Sequence, residues 1–194
     1  MLRRPIVIIG IVVLLVIFGF VIFNIDWGGS KQDEQSSTKQ SQQESLPEYA
    51  DSDVKVRMTI SGEINSNQDH REVQITVARD SVKANVISGY QGQVTSTQET
   101  GNNPSAYGSF LSALDMLGFT RTKDAAAGAT EAGSCPQGRR IRFEMYDSNE
   151  TLLSSWSTSC STKLGTFAGN LPQVQNLFQA QVPNYNDFVS GVRL

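Results

Sequence analysis

Two kinds of apolar pattern divide the chain. Pro5 to Ile25 is an unbroken run of Ile, Val, Leu, Phe and Gly, interrupted only by Pro5 and Asn24 and carrying no charge. After a polar stretch, apolar residues return as an alternation. Val54, Val56, Met58 and Ile60 alternate with Lys55, Arg57, Thr59 and Ser61, the period of a half-buried strand. Val73, Ile75 and Val77 predict a second strand, and Arg79-Asp80-Ser81 permits a tight reversal. Val82, Ala84 and Val86 predict a third, which runs on less regularly toward Val94 with a bend at Gly89 and Gly92.

Tyr107, Phe110, Leu111, Leu114 and Leu117 then recur at helical spacing. Asn103 suits the N-cap and Pro104 the first turn, while Gly118 and Phe119 suit the C′ and C″ positions of a Schellman ending. A small-residue loop occupies 122–133. Ile141, Phe143 and Met145 alternate on a further strand, and Asp147 to Glu150 has turn chemistry. Leu152, Ser154, Trp156, Thr158 and Cys160 share a parity on the returning strand, which places Trp156 with the apolar Leu152 and predicts that it is core. Asn170 and Pro172 open a last helix carrying Val174, Leu177, Phe178 and Val182. The predicted order is β-β-β-α-β-β-α: an α+β fold, a compact antiparallel sheet with two packed helices.

The first apolar run is the only one long enough to span a bilayer. Its 21 residues reach about 31 Å as a helix, against a hydrocarbon core of about 30 Å. Arg3 and Arg4 precede it and Trp27 follows at headgroup depth, so the N-terminus is expected inside and the rest outside. A cleaved signal peptide is the rival reading; the run exceeds the usual apolar core of about 7–15 residues, and bulky Phe20, Ile22 and Phe23 fill its end. Gly28 to Asp53 is rich in Gln, Ser, Lys and Glu without periodicity and is expected to be a disordered tether. The predicted organisation is therefore a transmembrane signal anchor at 1–27, a linker at 28–53 and an extracytoplasmic domain at 54–194.

Charge narrows the partners. Sixteen basic against nineteen acidic residues give −3, and setting aside Arg3 and Arg4 leaves −5 for the remainder. A nucleic-acid binder that relies on bulk positive charge is excluded. Two cysteines are too few for a disulfide-dense miniprotein. Paired residues in a hairpin keep a nearly constant index sum, 295 to 297 for a turn within Asp147–Glu150, and Cys135 with Cys160 sums to 295. A structural disulfide at the open end of that hairpin is expected, in keeping with an oxidising compartment.

Chemical motifs are sparse. The one histidine, His70, lies where a loop enters a strand and is expected to be solvated. No nucleophile elbow, P-loop, HExxH or GxGxxG occurs, so no catalytic residue, metal site or cofactor is predicted. Arg140 and Arg142 share a strand face and are candidate contacts for an anionic partner or lipid headgroups; pairing with Glu144 on a solvated face is the plainer alternative.

The anchor, Gln/Ser-rich stalk and small cysteine-paired domain together resemble uncharacterised single-pass proteins of the bacterial envelope. A second resemblance lies in the domain: an opening strand VRMTISGEI, a strand pair, a helix ending SALDMLGF, the hairpin RIRFEMYD with LLSSWSTS, and a closing helix LPQVQNLFQ. This plan is similar to emfourin-like proteins, inhibitors of thermolysin-type metalloproteases, and implies inhibition as an alternative function. The long loop, the disulfide and the anchor depart from that plan, and no inhibitor residue transfers. The expected function is a non-enzymatic binding domain, held by a single pass in the plasma membrane with its C-terminal domain outside. Its expected partners are the lipid bilayer and a protein or cell-wall component, with Gly62–Asp69, Gln91–Asn103 and Ser161–Gly169 as contacting loops.

Overall fold

Alternating Val, Ile and Met side chains build one sheet. The computed structural model describes residues 45–194. The apolar run, its flanks Arg3, Arg4 and Trp27, and the tether before residue 45 lie outside the described residues. No helix among the described residues is long and apolar enough to cross a membrane. Six strands form the sheet: β1 (Val54–Ser61), β2 (Arg71–Val77), β3 (Ser81–Ser88), β4 (Gln93–Gly101), β5 (Arg140–Asp147) and β6 (Glu150–Thr158). They lie in the order β4-β3-β2-β1-β5-β6, and every neighbouring pair is antiparallel. Residues opposite one another share a face. Val56, Met58 and Ile60 thus line up with Val77, Ile75 and Val73 on one side and with Met145, Phe143 and Ile141 on the other.

Two helices cover that apolar face: α1 (Pro104–Met116) and α2 (Leu171–Gln179), with a final turn α3 (Tyr185–Phe188). Tyr107, Phe110, Leu111 and Leu114 of α1 and Val174 and Phe178 of α2 complete the core. Both helix starts use their predicted caps. Asn103 accepts from the Ala106 N–H at 2.9 Å, and Asn170 accepts from the Gln173 N–H at 3.3 Å. Gly118 ends α1 at φ 73°, which a side chain would disfavour, and the Phe119 N–H closes the Schellman ring on the Leu114 carbonyl at 3.0 Å. The buried Tyr107 hydroxyl donates to the Val54 carbonyl at 2.6 Å, and burial, with the charge of Tyr146 second, pushes its pKa well above the ordinary phenol value.

Three sequence expectations are corrected. First, the third strand does not run on toward Val94. The chain reverses at Gly89–Gly92, closed by a Gly92 N–H to Gly89 carbonyl bond, and returns as a separate edge strand, β4. The region 91–103 is therefore mostly strand, and the order is β-β-β-β-α-β-β-α plus a short turn. Second, the part of the tether from residue 45 onward is structured. Leu46–Asp51 forms a 3-10 helix whose Leu46 is fully buried and whose Ala50 faces Gly108 of α1. Leu46→Ala is expected to cost about 2–5 kcal/mol in urea unfolding of the full chain. A change under about 0.5 kcal/mol would place this segment outside the folded unit.

Third, a register shift between Met145 and Tyr146 leaves Leu152 as an unpaired extra residue, so paired positions change from Tyr146↔Thr151 to Met145↔Leu153. Leu153 and Ser155 consequently face the helices. Trp156 lies opposite Arg142, on the other side of the sheet. It is still buried, at 9% exposure, but not in the core beneath the helices.

Candidate binding face

Among the described residues, no helix covers the sheet's second face. Across its middle, Thr97, Asn85, Gln74, Thr59, Arg142 and Trp156 succeed one another from β4 to β6. The next row holds Glu99, Lys83, Thr76, Arg57, Glu144 and Ser154. Alternation within each strand puts these polar side chains here, because their neighbours are taken by the core.

Cross-strand contacts fix the rows. Arg57 donates to Thr76 at 3.3 Å and to the Tyr146 hydroxyl at 2.7 Å, lies over the Tyr146 ring at 4.6 Å, and approaches Glu144 at 3.8 Å. Thr97 donates to Asn85 at 2.9 Å, and Lys83 approaches Glu99 at 3.5 Å. The side chains of Arg57 and its partners are thus held in place before any partner arrives, which lowers the ordering cost of binding.

One end of the face is enclosed. The loop between Gly118 and β5 is tied to the segment after β6 by Lys123 N–H to Thr166 carbonyl and Ala126 N–H to Leu164 carbonyl bonds. From this loop Glu131 accepts from Arg142 Nε through both carboxylate oxygens, at 2.8 and 3.0 Å. Partial burial works against the Arg142 charge. The hydrogen bond and charge of Glu131 outweigh it, Glu144 and Glu72 add to them, and the pKa rises. The predicted disulfide Cys135–Cys160 is formed, with Cα atoms 5.7 Å apart, and ties the end of the same loop to the chain leaving β6.

His70 is not solvated. It is 1% exposed and stacks on Tyr90 with centroids 4.0 Å apart. The β2–β3 register explains the burial: Arg71 pairs with Ser88, so the β3–β4 turn brings Tyr90 over the ring. Asn67 accepts from the Tyr90 N–H at 2.8 Å, and Asn65 binds the Tyr90 hydroxyl. One ring nitrogen of His70 lies 3.2 Å from the Glu63 carbonyl and the other 3.3 Å from Glu72.

The two candidate arginines have different fates. Arg142 is at the surface but paired with Glu131, not with Glu144. Arg140 is 5% exposed, so its guanidinium does not lie on the open sheet surface. No protein-family model matches the chain, and no curated protein matches it. The likeness to emfourin-like inhibitors therefore rests on the order of strands and helices alone.

Arg140, Arg142, His70, Glu72, Tyr90 and Ile64 line a cavity of about 260 Å³ at this end of the face. A larger cleft of about 540 Å³ lies beyond, beside Glu63, Asp69, Arg71 and Arg193. Arg71 there is already occupied by the Gln68 and His70 carbonyls. Among the described residues no group of three His, Cys, Asp or Glu side chains gathers as a metal site. The sequence reading overlooked the sheet face in favour of loops. Its signal was nonetheless present: Lys55, Arg57, Thr59 and Ser61 occupy every second position of β1.

Proposed function

We propose that the chain is a membrane-tethered, extracytoplasmic binding domain of the cell envelope, without catalytic activity, whose partner docks on the face of the sheet opposite α1 and α2. The observation that carries this reading is the polar row from Thr97 to Arg142, pinned at one end by the Thr97–Asn85 hydrogen bond and at the other by the Arg142–Glu131 pair. The uncharged run at 5–25 supports the tether, and the disulfide fits an oxidising compartment. The partner is a protein or cell-wall component, and the lipid bilayer receives the N-terminal segment.

Site-specific photo-crosslinking tests the docking face. A photoreactive residue at Thr97 or Lys83 of the full chain is expected to capture the same envelope component, competed by excess unlabelled chain. One at Asn176, exposed on α2, is expected to capture none. Equal capture from both sides, or none from the sheet, would rule out this face.

A second reading is inhibition of an extracellular metalloprotease. It is favoured by β4, a nine-residue edge strand with one ladder partner, whose outer backbone groups suit strand addition in a cleft. Slowed cleavage of a peptide substrate by a thermolysin-type protease would support it; an unchanged rate at excess chain would reject it.

A further inference from the structure

We infer that the cavity beside Arg140 binds a carboxylate carried on a small, largely apolar group. This rests on reading the open sheet face as the partner surface and names the chemistry at one end of it. The Arg140 guanidinium donates through one nitrogen to the Gly62 carbonyl. Its other terminal nitrogen is buried with no hydrogen-bond partner. No carboxylate of the described residues forms an ion pair with it. A guanidinium cannot shed its proton, so a buried terminal nitrogen with no acceptor and no carboxylate in ion-pair contact leaves a demand for a charged acceptor.

The nearby acids do not meet that demand. Glu72 accepts from Ser61 at 2.7 Å and lies 3.3 Å from a His70 ring nitrogen, and Glu131 is held by Arg142. Their presence also sets the ligand's charge. A doubly charged phosphate would be repelled by two carboxylates lining the same space, whereas one carboxylate adds a single negative charge beside Arg140 and Arg142. Besides Ser61 and His70, the other walls are Tyr90, Ala132 and the exposed Ile64, whose apolar surface favours an apolar substituent. About 260 Å³ accommodates an acid of a few carbons. Its source is either a free acid or the terminal carboxylate of a peptide.

Thermal unfolding of the full chain in nonionic detergent, at fixed ionic strength, tests the site. Butyrate represents the free acid and N-acetylalanine the peptide terminus. One or both are expected to raise Tm saturably, by roughly 3–6 °C at ten times Kd, while chloride does not. The more effective probe identifies the source. Arg140→Met is expected to abolish the rise. Ile64→Asp, which sets a carboxylate at the exposed mouth, is expected to abolish it too and serves if Arg140→Met does not fold. No saturable rise, the same rise in a folded variant, or a stronger rise with phosphate would overturn the assignment. If saturable binding persists while crosslinking from Thr97 fails, the partner-face reading falls and the carboxylate site stands. The converse removes only the site.

Discussion

Phe143→Ala is expected to destabilise the fold by about 3–5 kcal/mol, the largest effect of any single substitution considered. Phe143 is fully buried on β5, and its ring meets Phe167 at 4.6 Å, Phe119 at 5.8 Å and Phe178 at 6.2 Å between centroids. Those three come from the segment after β6, from the end of α1 and from α2, so one ring joins three separate stretches of chain to the sheet. Truncation removes the apolar area and leaves a cavity that backbone tied into helix and sheet ladders closes only in part. Roughly 6–20 °C in Tm corresponds to this loss. Leu152→Ala, at the unpaired exposed position of β6, is the control and should fall within about 0.5 kcal/mol of the parent. A Phe143→Ala loss under about 1 kcal/mol would mean that the helices do not pack on the sheet as described.

Removal of the disulfide is expected to cost about 3 kcal/mol, the chain-entropy value for a closed loop of about 26 residues. Replacing both Cys135 and Cys160 by alanine, or reducing the native protein, should lower Tm by roughly 6–12 °C. The effect has a local side. Cys135 sits at φ 55°, a left-handed conformation unusual for a residue with a side chain, and the crosslink holds it there. Without it the loop carrying Glu131 loses its anchor at the end of β6, and the Glu131–Arg142 contact is expected to weaken. Limited proteolysis of the reduced chain should therefore cut first between residues 122 and 139. Equal Tm with and without reductant, or first cleavage elsewhere, would contradict this role.

Much of the fold was legible wherever burial is periodic. The alternation in β1, β2, β3 and β5 states which residues face the helices, and α1 announces its limits through Asn103, Pro104 and Gly118. The cysteine pairing followed from hairpin arithmetic, even though the register shift moves the ladder sum at Arg140↔Thr158 to 298. What escaped has a common cause. β4 is exposed on an edge, so its Thr, Ser, Gln and Glu residues have no apolar alternation to show. Leu46 lies in the short segment LPEYAD, which shows no apolar period, and its burial comes from packing into the core beside α1. The extra residue at Leu152 reverses the parity of everything after it, which is why Trp156 was placed on the wrong face.

The candidate site was less legible for the same reason. His70 and Arg140 are residue types that usually reach water, and nothing local says that a tyrosine twenty positions away covers one or that a loop carbonyl holds the other. Their burial comes from the strand register, which brings the β3–β4 turn and the 62–69 loop to the same end of the sheet. Arg57 illustrates the opposite case: its place on the wet face was plain, but its three partners, Thr76, Tyr146 and Glu144, lie on β2 and β5.

The proposal that the domain is tethered and oxidised outside the cytosol is tested most directly in cells producing the chain from Met1 to Leu194. Membranes are washed with alkaline carbonate, intact cells are exposed to an external protease, and denatured protein is alkylated without reductant. The account predicts that the chain stays with the membrane, that the domain is digested from outside, and that neither Cys135 nor Cys160 takes the label. A chain recovered in the cytosolic fraction, protected from the protease and labelled on both cysteines, would contradict it.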